Sequence, residues 1–398
     1  MISVDEALAR IVSAFSETES EFIPLEKASG RVLGEQVRAR LDQPPAAISA
    51  MDGYAVRSAD VSLPQATLRV IGTAPAGHPF TGVVRAGEAV RIFTGGVVPD
   101  GADAIVIQEN ATRNGDEVRF SGPAIAGKHI RRAALDFARN DILAEKGRKL
   151  RARDLALLAA GDVASVCVRK PPVVAFAATG DELSLPGQAR RAGGIVASSG
   201  YALASMIETW GARPRDLGIL SDTIEAFRDL PENARDADII VTMGGASVGD
   251  HDLVREALAP KGFELDFWKI AMRPGKPLIF GKLITTPFLG LPGNPVSSLV
   301  CAILFLKPAI KTMLGERQKD AIRAARLLAQ MPANDSRQDY LRARLEFRDG
   351  SWWAEPFSIQ DSSMQRLFVS ADALIARAPY APAAAIGDFV EILPLDEI

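Results

Sequence analysis

The sequence predicts a multidomain α/β and β protein. A central three-layer α/β domain carries a mostly parallel sheet, with an inserted small β-rich domain and a C-terminal β-barrel-like domain. Three observations predict this. The 398 residues exceed what one compact core accommodates, so two to four domains are expected. Residues 66–121 alternate apolar and polar over short spans separated by glycines, the pattern of half-buried strands. From Pro171 the rhythm becomes strand, turn, helix, which argues for parallel strands joined by right-handed crossovers.

In chain order, residues 3–15 (SVDEALARIVSAF) place apolar side chains at helical spacing behind a Ser3/Glu6 capping box. Pro44 and Pro45 end helical periodicity, and the segments TLRVIGTAPAG, EAVRIFTGG, DAIVIQEN and DEVRFSG follow as strands of an insert. Helical signal returns at 151–160 (RARDLALLAA), so the segments flanking the insert are expected to pack together. The α/β stretch runs VVAFAATGDE, YALASMIETWG, DLGIL, TIEAFRDL, DIIVTMGG, LVREALA. Beyond residue 318, ARLLAQM, YLRARLEF, WWAEPF, ALIARAP and FVEILPL read as short strands. The expected division is a discontinuous linking domain (1–45 and 139–170), the insert (46–138), the α/β domain (171–318) and the terminal β domain (319–398).

Composition excludes several function classes. Hydrophobic residues at 47% and charged residues at 24% are ordinary globular values, so burial and not disorder is expected. A net charge of −3 without a basic tract leaves no electrostatic footprint for nucleic acid or an anionic membrane. The acidic first 30 residues lack the apolar core of a signal peptide, and no run approaches the roughly 20 apolar residues of a bilayer span. Two cysteines in apolar stretches, Cys167 and Cys301, read as reduced, buried thiols of a cytoplasmic protein. His78, His129 and His251 show no zinc-ligand spacing.

Ligands of such sheets collect at the carboxyl ends of the strands, where the chemistry-bearing clusters fall. After the strand at Ile239–Val241, Gly244, Gly245, Ser247 and Gly249 suit a turn whose N–H groups cradle an anion, and Asp250 and Asp252 follow. Carboxylates beside an anion cradle call for a hard cation such as Mg²⁺ between them and a phosphate. An ordinary strand, loop and helix start, capped by Asp250 or Asp252, serves equally well for the segment alone. Thr179–Glu182 places Asp181 and Glu182 after a strand, fit for a metal or for a solvated loop. Ser198, Ser199 and Gly200 suit N-capping or phosphate capture. Lys269, Arg273 and Lys276, turned by Pro274 and Gly275, are three cations able to converge on an oxyanion or to form a solvated basic loop. The stiff Pro292–Gly293–Asn294–Pro295 loop opens a helix carrying Ser297 and Ser298, whose N-terminus offers N–H groups. In the insert, Asp52 precedes a turn glycine and Thr94 precedes Gly95 and Gly96. Arg131 and Arg132 read as surface ion-pair partners of Asp136.

Taken together, MDGYAV, RIFTGG with PDGADAIV, TGDEL, DIIVTMGGASVGDHD, MRPGKP and GLPGNPVSS resemble, in order and spacing, the molybdopterin molybdenumtransferases of the MoeA and gephyrin E-domain family. The resemblance runs from about residue 3 to the C-terminus. It implies a four-domain elongated subunit, a homodimer with an active site at or near the subunit interface, and transient contact with other cofactor-biosynthesis enzymes. It also implies the reaction: adenylylated molybdopterin and molybdate give molybdenum cofactor and AMP, with Mg²⁺. The family's functional positions fall on Asp52, Thr94, Asp136, Glu182, Asp222, Asp252, Lys269, Arg273, Lys276, Pro292 and Pro295. Asp222 and Asp252 would hold Mg²⁺, and the Gly244–Gly249 turn would cradle the phosphate linkage. Lys269, Arg273, Lys276 and Ser298 would receive molybdate. Two departures stand out: Leu135 occupies a common glycine position beside Asp136, and Gln360–Met364 lacks the glycine usual among the serines. The competing readings are a molybdopterin adenylyltransferase, which only residues 171–318 would explain, and a non-catalytic gephyrin-like scaffold, against which the retained carboxylates and lysines speak.

Overall fold

The computed structural model describes residues 1–245, 250–317 and 323–395, with the side chains of residues 250–253 left outside that description. Its central sheet orders Arg213–Leu220, Val173–Thr179, Ile239–Met243, Thr286–Leu291, Pro277–Leu283 and Phe263–Lys269. The first four strands pair in parallel; the last two attach antiparallel. Strand alternation separates two cores. Val174, Phe176, Ile239, Val241 and Met243 face one side, where Leu203, Met206, Ile207 and the helices from Pro295 to Met313 cover them. Ala175 and Ile240 face the other, under Phe227, Leu230, Val254 and Leu258. Every residue of Ile239–Met243 is buried, as expected of a parallel strand covered on both faces. The three layers thus follow from the period-two pattern read twice.

The first helix spans Val4–Ser13, and its Val4, Ala7 and Ile11 pack into the first of these cores. Ser3 Oγ accepts from Glu6 N at 3.1 Å, but the Glu6 carboxylate turns away to Arg10 at 2.6 Å, so only one arm of the capping box forms. The segments flanking the insert do pack together. Ser20–Pro24 pairs with Ser165–Arg169, and Leu33, Val37, Ala144, Leu150, Leu158 and Val168 share a core. Helix Ala152–Ala160 opens where the Asp154 carboxylate accepts from Arg151 N at 2.9 Å and from the Arg148 guanidinium at 2.5 and 2.8 Å.

The insert is a curled six-stranded sheet ordered Ala104–Ile107, Gly53–Val56, Glu88–Ile92, Thr67–Ala74, Glu117–Phe120 and Ala111–Asn114. The C-terminal strands close a five-stranded barrel: Gln338–Arg348, Ser351–Pro356, Arg323–Leu327, Phe389–Pro394 and Ala373–Arg377, which returns to Gln338–Arg348. Ala325, Ala343, Ala354 and Ala373 are buried within it, small side chains suited to a narrow interior. One expectation needs correction. Pro295–Met313 forms a 19-residue helical stretch of mean hydropathy 1.5, long and apolar enough to cross a membrane by length and composition. Of its most apolar window 72% is buried inside the protein, because its apolar side chains pack into the first of the two central cores; residues 302–306 form a π turn within it.

Candidate active site

Four parallel strands end on one edge, and the backbone there is drawn unusually close. Gly180 N donates to Leu220 O at 3.1 Å, Gly244 N to Leu291 O at 3.0 Å, and Asp222 N to a carboxylate oxygen of Asp181 at 3.2 Å. Gly244 and Gly245 hold φ at +106° and +66°. A Cβ on Gly244 would stand 2.5 Å from Thr179 Oγ1 and 2.7 Å from Thr179 O, so only glycine fits. A Cβ on Gly293 would lie 3.5 Å from Gly244 Cα, which shows how near the Pro292–Pro295 loop approaches the glycine turn. The Glu182 carboxylate folds back over Gly180. The edge therefore gathers Glu182, Asp222, Gly244, Gly245, Pro292 and Gly293, together with Asp181. Ser247 and Gly249 lie outside the described residues. Asp250 and Asp252 sit within helix Asp250–Leu258, Asp250 as its first residue, and of their side chains nothing is described.

Across this edge, Gly293 and Asn294 are exposed, and Pro295 opens a helix whose first N–H it removes. The next, Val296 N, donates to Ser362 O at 3.0 Å, and Ser298 N bonds back to Asn294 O at 2.9 Å. The C-terminal segment thus takes up part of the helix terminus expected to face an anion. Ser298 is fully buried, and its hydroxyl has no hydrogen-bond partner among the described residues. Gln365 donates to Ser198 Oγ at 2.5 Å, so the same segment also covers the start of helix Ser199–Thr209.

The three cations differ in their surroundings. Lys269 Nζ stands 3.5 Å over the ring of Trp268. Arg273 makes a two-pronged contact with Asp339, Nε at 2.9 Å and Nη2 at 2.7 Å, with Asp335 3.6 Å away; the hydrogen bond to Asp339 raises its pKa further. Lys276 is exposed. Gly275 packs so tightly on Cys301 that a Cβ would overlap the sulfur, which seats the loop against the core helix. Burial pushes the Cys301 thiol up, well away from thiolate chemistry.

In the insert, Asp52 Oδ1 accepts from both Thr94 N at 2.7 Å and Thr94 Oγ1 at 2.8 Å, and these bonds hold its carboxyl below the usual range. Asp136 is exposed at the rim of a cavity of about 560 Å³ also lined by Arg38, Phe137 and Asn140. The expected ion pair with Arg131 or Arg132 does not form among the described residues. Ile130–Arg131 pairs with Ile48–Ser49, whereas Asp136 N bonds Gln43 O, so the backbone carries the charges to separate partners. The left-handed residue of that turn is Ala134, with φ +55°, and not Leu135.

Sequence reasoning missed the C-terminal contribution. Arg342 is buried, with Nε 3.2 Å from Gln360 Oε1 and Nη1 3.5 Å from Met364 O, and no carboxylate in hydrogen-bond reach among the described residues. A charged side chain in a strand whose alternation otherwise assigns inward residues, YLRARL, was the available signal. Among the described residues no three His, Cys, Asp or Glu side chains cluster to hold a metal; Asp181, Glu182 and Asp222 supply oxygen donors only.

Comparison with known proteins covers nearly the whole chain. Residues 2–161 match the model of the MoeA N-terminal region (domain I and II), 175–312 a probable molybdopterin binding domain, and 324–395 the MoeA C-terminal region (domain IV). A molybdopterin molybdenumtransferase of Haemophilus influenzae is 36% identical over 321 residues, 80% of this chain and 79% of that protein. Its counterpart in Bacillus subtilis is 31% identical, over 94% and 89% of the two chains. A molybdopterin biosynthesis protein of Pyrococcus horikosii superposes with a TM-score of 0.86 at 29% identity, covering 99% of both chains. The chain belongs to the MoeA family of molybdopterin molybdenumtransferases and is a transferase.

Proposed function

We propose that the protein inserts molybdate into adenylylated molybdopterin, releasing AMP in a Mg²⁺-dependent reaction. The observation that carries this reading is the convergence, at one sheet edge, of an anion-permissive glycine turn with oxygen-only carboxylates and, beside it, a loop bearing Lys276. Gly244 N is bonded to Leu291 O, and what the two glycines offer instead is a turn without side chains, whose backbone a phosphate linkage can approach closely. Asp181 and Asp222, with Asp252 as the family match suggests, are hard donors of the kind Mg²⁺ accepts alongside phosphate oxygens. When bound, the ion would neutralise charge on the bridging phosphate. Glu182 would accept hydrogen bonds from the pterin, and Lys269 and Lys276 would attract molybdate, a tetrahedral dianion.

Asp52, held by Thr94, is a preorganised carboxylate on the insert, suited to completing the site of a second subunit in a homodimer. The same reading keeps the division into 1–45 with 139–170, 46–138, 171–318 and 319–398, a cytoplasmic location, and transient hand-over to other cofactor-biosynthesis enzymes. Matches along the whole chain speak against a single-domain adenylyltransferase. The test is incubation of the purified protein with adenylylated molybdopterin, Mg²⁺ and molybdate, with AMP measured. Molybdate-dependent AMP release that stops with EDTA is the expected result; release without molybdate, or none, would overturn the proposal.

A further inference from the structure

Arg273 and Lys276 lie three residues apart on one loop, yet the structure gives them different surroundings. Met272–Arg273 runs parallel to Gln338–Asp339 as an extra strand on the C-terminal barrel, and Gln338 N donates to Ala271 O at 2.8 Å. The Arg273 guanidinium uses both prongs on Asp339, whose side chain is only 9% exposed, and a third contact reaches Asn334 at 3.4 Å. The loop's other side is held as well: Ile2 N donates to Lys269 O, Ala271 N to Ile2 O, and Ile270 N to Lys276 O. A guanidinium so engaged has its fork geometry satisfied by a carboxylate, and releasing it toward an anion would strand a buried Asp339 charge. Lys276, exposed at the far end of the turn, has no carboxylate partner for its side chain among the described residues.

We propose that Arg273 is a positioning residue and not an anion ligand: its pairing with Asp339 fixes the loop against the barrel and so presents Lys276 to molybdate. The inference rests on the molybdate reading above. It divides labour that sequence alone assigned equally to three cations. The barrel thereby acts on the anion site without touching the anion.

The experiment is a double-mutant cycle with Asp339→Asn, Arg273→Gln and the pair, in the full-length protein. Substrate dependence of AMP release is measured alongside hydrogen exchange of the amides at Ile270–Lys276. Either single substitution is expected to raise the molybdate KM about tenfold, as for loss of one charge-assisted bond. The double variant should match the singles within about twofold, because all three lack the same contact. The KM for adenylylated molybdopterin and kcat at saturating molybdate should stay at the wild-type level, while exchange of the loop amides quickens. Arg273→Lys, which keeps the charge but not the fork, should restore only part of the molybdate KM. Effects of the two substitutions that multiply would mean that Arg273 itself holds the anion. An unchanged molybdate KM in Asp339→Asn, or a fall in kcat with both KM values unmoved, would equally overturn the proposal. If the wild-type protein releases no AMP, the functional reading fails, and the exchange data alone decide the clamp: unaltered loop exchange in Asp339→Asn refutes it.

Discussion

Substituting Gly244 tests whether the closely packed strand edge, and not glycine flexibility in general, makes the site. Three Gly→Ala changes separate the contributions. At Gly30, φ is +75° and nothing lies within 4 Å of a new Cβ, so only backbone strain acts. Strain of roughly 1–2 kcal/mol, less the roughly 0.4–1 kcal/mol gained by restricting the unfolded chain, predicts a loss of about 0.5–1 kcal/mol. At Gly293, φ is not left-handed and the nearest atom is at 3.5 Å, so Gly293→Ala should be neutral or stabilise by about 0.5 kcal/mol. Gly244 combines φ +106° with contacts at 2.5 and 2.7 Å, one of them to backbone oxygen that cannot rotate aside. Adding about 1–3 kcal/mol for overlap gives a total loss of about 1.5–4 kcal/mol. The chain is multidomain, so a global unfolding curve would mix transitions. Native-state hydrogen exchange of the Ile239–Met243 amides reports the central unit alone. A Gly244→Ala effect no larger than that of Gly30→Ala would refute the reasoning.

Two further outcomes are expected. Asp154 is buried, which by itself would raise its pKa, yet the Arg148 guanidinium and Arg151 N–H hold the carboxyl below its ordinary value of 3.8. Its folded value lies below its unfolded one, so its contribution is complete above about 4 and disappears as pH falls through the depressed value. Asp154→Ala should cost about 1–3 kcal/mol at neutral pH and progressively less below pH 4, read from native-state hydrogen exchange of the Ala152–Ala160 amides; a pH-independent difference would contradict this. Asp52→Asn keeps the acceptor for Thr94 but removes the charge. It should lower the thermal unfolding temperature only slightly, since the charged form is the one Thr94 favours, while slowing AMP release about 10²-fold, and full activity would remove Asp52 from the site.

What the sequence reveals and conceals follows from the range of the interactions. The first helix, the alternation of strands with helices and the strand-end glycine clusters are local patterns, legible within a dozen residues. Even so, Glu6 bonds Arg10 and not the helix start, because an exposed carboxylate finds an i+4 guanidinium as readily as a backbone N–H. The pairing of Arg273 with Asp339, the closure of the barrel through Gln338–Arg348 with Ala373–Arg377, and the seating of Ser362 O on Val296 N join residues 30 to 66 apart in ways no local period encodes. The basic loop could therefore be recognised from sequence, but the ties that distinguish its cations could not. Ala134 likewise adopts the left-handed turn next to the position where glycine was expected.

The strand formed by Met272 and Arg273 also imposes an order of events on biosynthesis. Asp339 lies 66 residues downstream of Arg273, so at about 5–20 residues per second a ribosome delivers the loop roughly 3–13 s before the partner that anchors it. During that interval the parallel sheet can form while its basic loop, held on one side by Ile2, lacks its anchor on the barrel. On the proposed division of labour, a chain interrupted between the two would carry the glycine turn and the carboxylates yet lack a fixed lysine, so completion of the proposed anion site would report that translation has passed into the barrel.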